Sequence, residues 1–146
     1  MNSANMEEEV PLLHLMPIIQ RLIKLSDAHK QYGLTKSQVI VMIALRYREN
    51  VTMSEIAQYI SSSKEQATRA VAVLFDHGLV ERFEQPQNRT HVYIRFSEQG
   101  RAFMHELESQ FHKEISHKLS SSLTPEEIET LRNSLQTSID LLSKVK

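Results

Sequence analysis

Cysteine is absent from the 146 residues. That excludes disulfides, thiolate-bound metals and thiol redox switching. Glycine occurs three times, at Gly33, Gly78 and Gly100, too few for a glycine-rich phosphate loop. No HExxH or CxxC motif occurs, and no nucleophile sits in a recognisable catalytic motif, so neither an enzyme nor a cofactor is expected. No run of about 18 apolar residues is present, which argues against a membrane-spanning helix. The opening MNSANMEEEV lacks the basic and then apolar layout of a secretion signal, so the expected location is the cytoplasm. Neither sign of charge dominates: 17 Lys and Arg stand against 18 Asp and Glu. A nucleic-acid binder often carries a basic excess, so the balance argues mildly against one. It persists locally. Between residues 63 and 101, Lys64, Arg69, Arg82, Arg89, Arg95 and Arg101 face Glu65, Asp76, Glu81, Glu84 and Glu98. Any nucleic-acid surface must therefore come from the placement of charges, not from their sum.

What is present is a dense set of helix signals. Leu12, Leu15, Met16, Ile19, Leu22 and Ile23 recur at helical spacing, and Leu13, Ile18 and Leu25 add a second apolar side. A helix apolar on two sides has two neighbours, one of which can be another subunit. Glu7, Glu8 and Glu9 suit a helix N-terminus. Pro17 should kink this helix near Met16 or delay its start, and Gly33 should end it. Three capping boxes follow, Thr35-Lys36-Ser37-Gln38, Thr52-Met53-Ser54-Glu55 and Ser63-Lys64-Glu65-Gln66. Each opens a short helix, and together they make a compact three-helix unit. Leu79–Phe83 and His91–Phe96 alternate and are β-rich. With the polar EQPQNRT between them they form a hairpin whose loop exceeds a two-residue turn. Ser97 caps a long helix with Phe103, Leu107, Phe111, Ile115 and Leu119 along one side, broken at Ser120–Leu123. Thr124, Pro125 and Glu127 open the last helix, striped by Ile128, Leu131, Leu135, Ile139 and Leu142.

The expected fold is mainly α with a small β-hairpin wing, a winged helix-turn-helix. Residues 1–34 and 98–146 form a helical dimerisation region around a DNA-binding region at 35–97, all within one structural domain. In the helix from Lys64, Ala67, Ala70, Val71 and Leu74 share one face, which must be the core side. Glu65, Thr68, Arg69, Ala72 and Asp76 lie opposite, flanked by Lys64 and Gln66. The first turn of such a helix approaches base edges in a major groove. Arg69 suits guanine, Gln66 suits adenine, and Thr68 suits a thymine methyl or a phosphate. Ala72 is small enough for close approach. Arg89, between Asn88 and Thr90 at the hairpin tip, is placed to reach the backbone or minor groove. A solvated amphipathic helix and a surface arginine are the plainer readings of the same residues.

The order Thr52-Met53-Ser54-Glu55-Ile56-Ala57, Ser63-Lys64 through Thr68-Arg69, Leu74-x-x-x-Gly78-Leu79-Val80-x-Arg82, Pro86-x-Asn88-Arg89 and Ser97-x-x-Gly100 resembles the MarR (multiple antibiotic resistance regulator) family. The tail Leu123-Thr124-Pro125-Glu126-Glu127 fits its closing helix, so the resemblance runs from about Leu12 to Lys144. It implies a homodimeric transcriptional regulator, more often a repressor, that binds a pseudo-palindromic operator in double-stranded DNA and is released by a small, often phenolic or anionic, effector. It assigns DNA contact to Ser63, Lys64, Gln66, Thr68, Arg69 and Arg89. Two positions depart from the family pattern. Asn88 stands where an aspartate commonly holds the wing arginine, and Glu65 stands where a small or hydroxylated residue is more usual. By the same resemblance an effector would sit between the dimer arm and the winged lobe, near His14, His29, Tyr32, Arg46 and Tyr47. Two other readings remain open: a winged-helix module that binds protein and not DNA, and a metal-responsive regulator. His105, His112 and His117 share one helix for the latter, but His117 is turned away by about 140°, and no metal site is assigned.

Overall fold

The computed structural model describes residues 10–22 and 28–145. The elements run α1 (Leu12–Leu22), α2 (Ala28–Gln31), α3 (Lys36–Tyr47), β1 (Val51–Thr52), α4 (Met53–Tyr59), α5 (Lys64–Asp76), β2 (Val80–Gln85), β3 (Asn88–Phe96), α6 (Glu98–Ser122) and α7 (Pro125–Leu142). The expected positions Glu7, Glu8, Glu9, Ile23 and Leu25 lie outside the described residues. Pro17 does not delay the first helix; it lies inside α1, which begins at Leu12.

Capping chemistry sets the helix starts. Thr35, Thr52, Ser63 and Thr124 each close a reciprocal box with the residue three positions on. Each box satisfies two backbone N–H groups that a helix end leaves without partners. In α3 this also satisfies the buried Gln38, whose Oε1 accepts from Thr35 N–H at 2.9 Å.

The ends are equally specified. At the close of α5, Gly78 N–H donates to Phe75 C=O and Leu79 N–H to Leu74 C=O, with Gly78 at φ +72°. That is a Schellman motif, and its two apolar flanks, Leu74 and Leu79, are both fully buried. α4 ends the same way, with Ser61 N–H to Gln58 C=O and Ser62 N–H to Ala57 C=O. There the left-handed position is held by Ser61, at φ +51°. A Cβ in that region costs about 1 kcal/mol. Ser61→Gly is accordingly expected to raise stability by about that amount, read as a higher urea midpoint; a lower midpoint would show that the serine side chain supports the turn.

The three strands form one antiparallel sheet in the order β1-β3-β2. Val51 pairs with Ile94, Val80 with Phe96 and Arg82 with Ile94. The core lies between this sheet and α3, α4, α5 and the first part of α6. Val39, Val41, Met42, Ile56, Val71, Leu74, Leu79 and Ile94 are its most enclosed side chains. α6 runs through Ser120 and Ser121 to Ser122, where a break was expected. The hydroxyls of Ser120 and Ser121 donate to the carbonyls of His117 and Lys118, so the serines bond back onto the helix instead of ending it. Neither α1 nor α7 buries a single residue within the chain.

Candidate nucleic-acid interface

α4, a short turn and α5 form the helix-turn-helix, and β2 with β3 forms the wing. In α5 the expected core face is buried, with Ala67, Val71 and Leu74 fully enclosed and Ala70 nearly so. Lys64, Glu65, Gln66, Thr68 and Arg69 are exposed, together with the cap Ser63, and Ala72 is half-buried.

The first two turns of α5 are not uniformly free. Gln66 N–H donates to Ser63 Oγ at 3.2 Å, and Ser63 N–H donates to Gln66 Oε1 at 3.4 Å. The Gln66 amide oxygen is thus turned back onto the helix end. A bidentate contact with adenine needs that oxygen as well as the amide nitrogen, so the two uses compete. Thr68 Oγ1 donates to Lys64 C=O at 2.7 Å, which consumes its one hydroxyl proton and leaves its methyl group and lone pairs. Among the described residues, Lys64, Glu65 and Arg69 have no side-chain partner.

The wing differs from the expected hairpin. Only Pro86 and Gln87 connect the two strands, and β3 starts at Asn88. Gln85 pairs with Asn88 while Glu84 pairs with Val92, so Arg89, Thr90 and His91 bulge out of the ladder. A bulge bends a strand and re-aims its side chains. Asn88 Oδ1 accepts from Thr90 Oγ1 at 2.6 Å and lies 3.2 Å from His91 Nδ1. The asparagine therefore fixes the bulge and not the arginine, and Arg89 is exposed without a side-chain partner among the described residues. Two other wing arginines are engaged internally. Arg95 meets Glu81 at 2.7 Å and stacks on Phe83 at 4.3 Å, and Arg82 lies 5.5 Å above the Phe75 ring.

A groove of about 540 Å³ lies between the end of α3, the base of β3 and the start of α6. Its floor is the buried Leu45, Phe96 and Met104. Arg46, Arg48, Arg95 and Arg101 line it with His105, against the carboxylates Glu49 and Glu108. Arg46 is paired with Glu108 at 3.1 Å, whereas among the described residues Arg48 and Arg101 have no side-chain partner. Of the positions expected near an effector, Arg46 lines this groove. His14 and Tyr47 are exposed elsewhere, His29 is half-buried, and Tyr32 packs edge-on against Phe103 at 4.3 Å. Sequence alone does not mark Arg48 and Arg101 as effector residues because they lie 53 positions apart in unrelated pattern, and only the fold brings them to one cavity. Among the described residues no three His, Asp or Glu side chains are grouped to hold a metal ion, and no helix is long and apolar enough to cross a membrane.

A three-helix unit, a capped second helix with exposed polar groups in its first turn, and a two-stranded wing define a winged helix-turn-helix protein. The MarR family model matches residues 34–92. The transcriptional repressor MprA of Escherichia coli (strain K12) is 29% identical over 118 residues, covering 80% of this chain and 65% of MprA. The chain thus spans just under two thirds of the length of that curated relative. Wild type MarR (apo form) from E. coli has the same fold, with a TM-score of 0.70 at 24% identity over 90% of this chain and 99% of that one. An S. aureus MepR mutant bound to an oligodeoxyribonucleotide gives 0.61 at 20% identity, over 92% and 99%. The family match thus falls on the winged helix-turn-helix part of the chain, and the solved structures share its fold.

Proposed function

We propose that this protein is a cytoplasmic DNA-binding transcriptional regulator that acts as a homodimer on a pseudo-palindromic operator, most simply as a repressor. The observation that carries this is the first two turns of α5, where Lys64 and Arg69 stand exposed just beyond a rigid cap and, among the described residues, unpaired. Arg89 on the wing bulge supplies a second unpaired cation. Residues 35–97 form the reading region in this proposal, and 1–34 with 98–146 form the dimer arm. The bare apolar faces of α1 and α7 support that division. The repressor relative MprA and the DNA-bound MepR structure support the same reading.

Arg69→Ala is expected to weaken operator binding by roughly 1–3 kcal/mol and to relax one base position. Equal loss on operator and random DNA would remove Arg69 from sequence reading. Arg89→Ala should weaken binding with a smaller change in base preference, and unchanged affinity would remove the wing from the mechanism. Fluorescence anisotropy at two salt concentrations tests the reading as a whole. Phosphate contacts make affinity fall steeply with salt, and a flat response would favour a protein-binding module instead.

The arginine-lined groove supports a small organic anion as effector. An apolar floor with a few convergent charges is the general form of a ligand pocket, and the volume falls within the usual range. Simple aromatic carboxylates are expected to raise the melting temperature and to release DNA. The double variant Arg48→Ala, Arg101→Ala should abolish both effects while leaving ligand-free DNA affinity unchanged. Retention of both effects in that variant would place the effector elsewhere.

A further inference from the structure

We infer that Glu65 and Arg69 act as a pair that reads a cytosine and a guanine in one half-site, so that Glu65 is a specificity-determining residue and not an impediment to binding. This rests on the DNA-binding reading above. Four observations carry it. Gln66, the residue best suited to adenine, has its amide oxygen turned into the Ser63 cap. Thr68 has spent its hydroxyl proton on Lys64 C=O. Glu65 and Arg69 are both exposed. They are four residues apart on one helix, about 40° from each other around its axis, in the order that favours an ion pair, yet no ion pair joins them. The first two turns therefore present a carboxylate and a guanidinium side by side, both free among the described residues.

Their chemistry narrows what they can meet. A carboxylate only accepts hydrogen bonds. In the major groove, donors are found only on cytosine N4 and adenine N6. On adenine the neighbouring N7 is an acceptor and repels a carboxylate, whereas cytosine has no acceptor edge in that groove. Guanine O6 and N7 repel a carboxylate and accept a bidentate arginine. Cβ atoms at this spacing are about 5–6 Å apart, and base pairs rise about 3.4 Å. The pair thus spans one C·G base pair or two adjacent ones. Against phosphates alone Glu65 would only repel. Placed over cytosine it penalises every other base at that position, which is how a site gains selectivity from an unfavourable charge.

The test is selection from a random duplex library with the full-length dimer, followed by anisotropy on the selected site and its single-base variants. Wild type should enrich a cytosine beside or opposite a guanine in each half-site. Glu65→Gln should lose the cytosine preference, by about 5- to 150-fold in relative affinity, and keep the guanine. Arg69→Ala should do the reverse. Unchanged melting curves for both variants will show that folding is intact. A Glu65→Gln protein that binds all duplexes more tightly with its base preferences intact would overturn the inference and leave the regulator standing. Enrichment of no sequence at all by the wild type would remove the regulator reading, and the inference with it.

Discussion

Gly100→Ala is expected to lower the stability of the chain by roughly 3 kcal/mol, seen as a marked drop in the urea midpoint. A Cβ built on Gly100 would lie 1.8 Å from Leu79 O and 2.8 Å from Leu79 C, with Phe96 Cδ1 at 3.1 Å. The first two are backbone atoms, and that backbone is held. Leu79 C=O accepts from Ser97 N–H at 3.1 Å. Ser97 Oγ donates to Gly78 C=O at 2.5 Å and accepts from Gly100 N–H at 3.0 Å. Ser97 and Gly100 thus clasp the two residues Gly78 and Leu79 just beyond α5, fastening the start of α6 to the end of that helix. Helix propensity works in the opposite direction, because alanine is favoured over glycine inside a helix by about 1 kcal/mol. The sign of the change is therefore diagnostic. A wild-type or higher midpoint would mean that α6 can lift away from Leu79 freely and that the clasp does not hold α6 to the end of α5.

That clasp marks the boundary between what local pattern shows and what it hides. Ser97-x-x-Gly100 is visible as an N-cap followed by a glycine, but nothing along the chain says that the glycine faces the Leu79 carbonyl. Local signals did transfer. The caps at Thr35, Thr52, Ser63 and Thr124 formed, because each depends on residues three apart. Ala67, Val71 and Leu74 are buried, because a period of 3.6 determines which side chains share a face. Signals that depend on pairing did not transfer. β1 is two residues long, too short for alternation to register, and it exists through its partner Ile94. The wing loop looked long because Pro86 and Asn88 are turn formers set in a polar run; Asn88 is instead the paired start of β3, and Arg89 and Thr90 lie in its bulge. Gln66 met two legitimate demands at once, capping and base contact, and hydrogen-bond geometry in the folded chain favours the cap. The arginine groove draws on α3, β3 and α6, so no window of sequence contains it.

Replacing both Leu135 and Ile139 with glutamate is expected to leave each chain folded but to abolish the proposed dimer, and with it roughly 10²- to 10⁴-fold of the proposed operator affinity. Along the α7 stripe, Ile128 and Leu131 are half-buried, whereas Leu135 is 41% exposed and Ile139 56% exposed. α1 likewise shows Leu12, Leu13, Met16 and Ile18 to solvent. Contiguous apolar surface of this kind marks an interaction site, and full burial of one such side chain stabilises by about 1.5–3 kcal/mol. In the lone chain the substitutions fall at exposed positions, so the fold has little reason to respond. In a dimer whose seam includes α7, they would bring four carboxylates, two per chain, into an apolar contact without partners. Two reading heads joined by an arm bind the second half-site as an intramolecular event, which is why the loss should far exceed that of a single base contact. Sedimentation should show a monomer, and far-ultraviolet circular dichroism should match the wild type. A variant that stays dimeric would place the seam elsewhere. A monomeric variant that kept full affinity would show that one copy of α5 and its wing suffices for the operator.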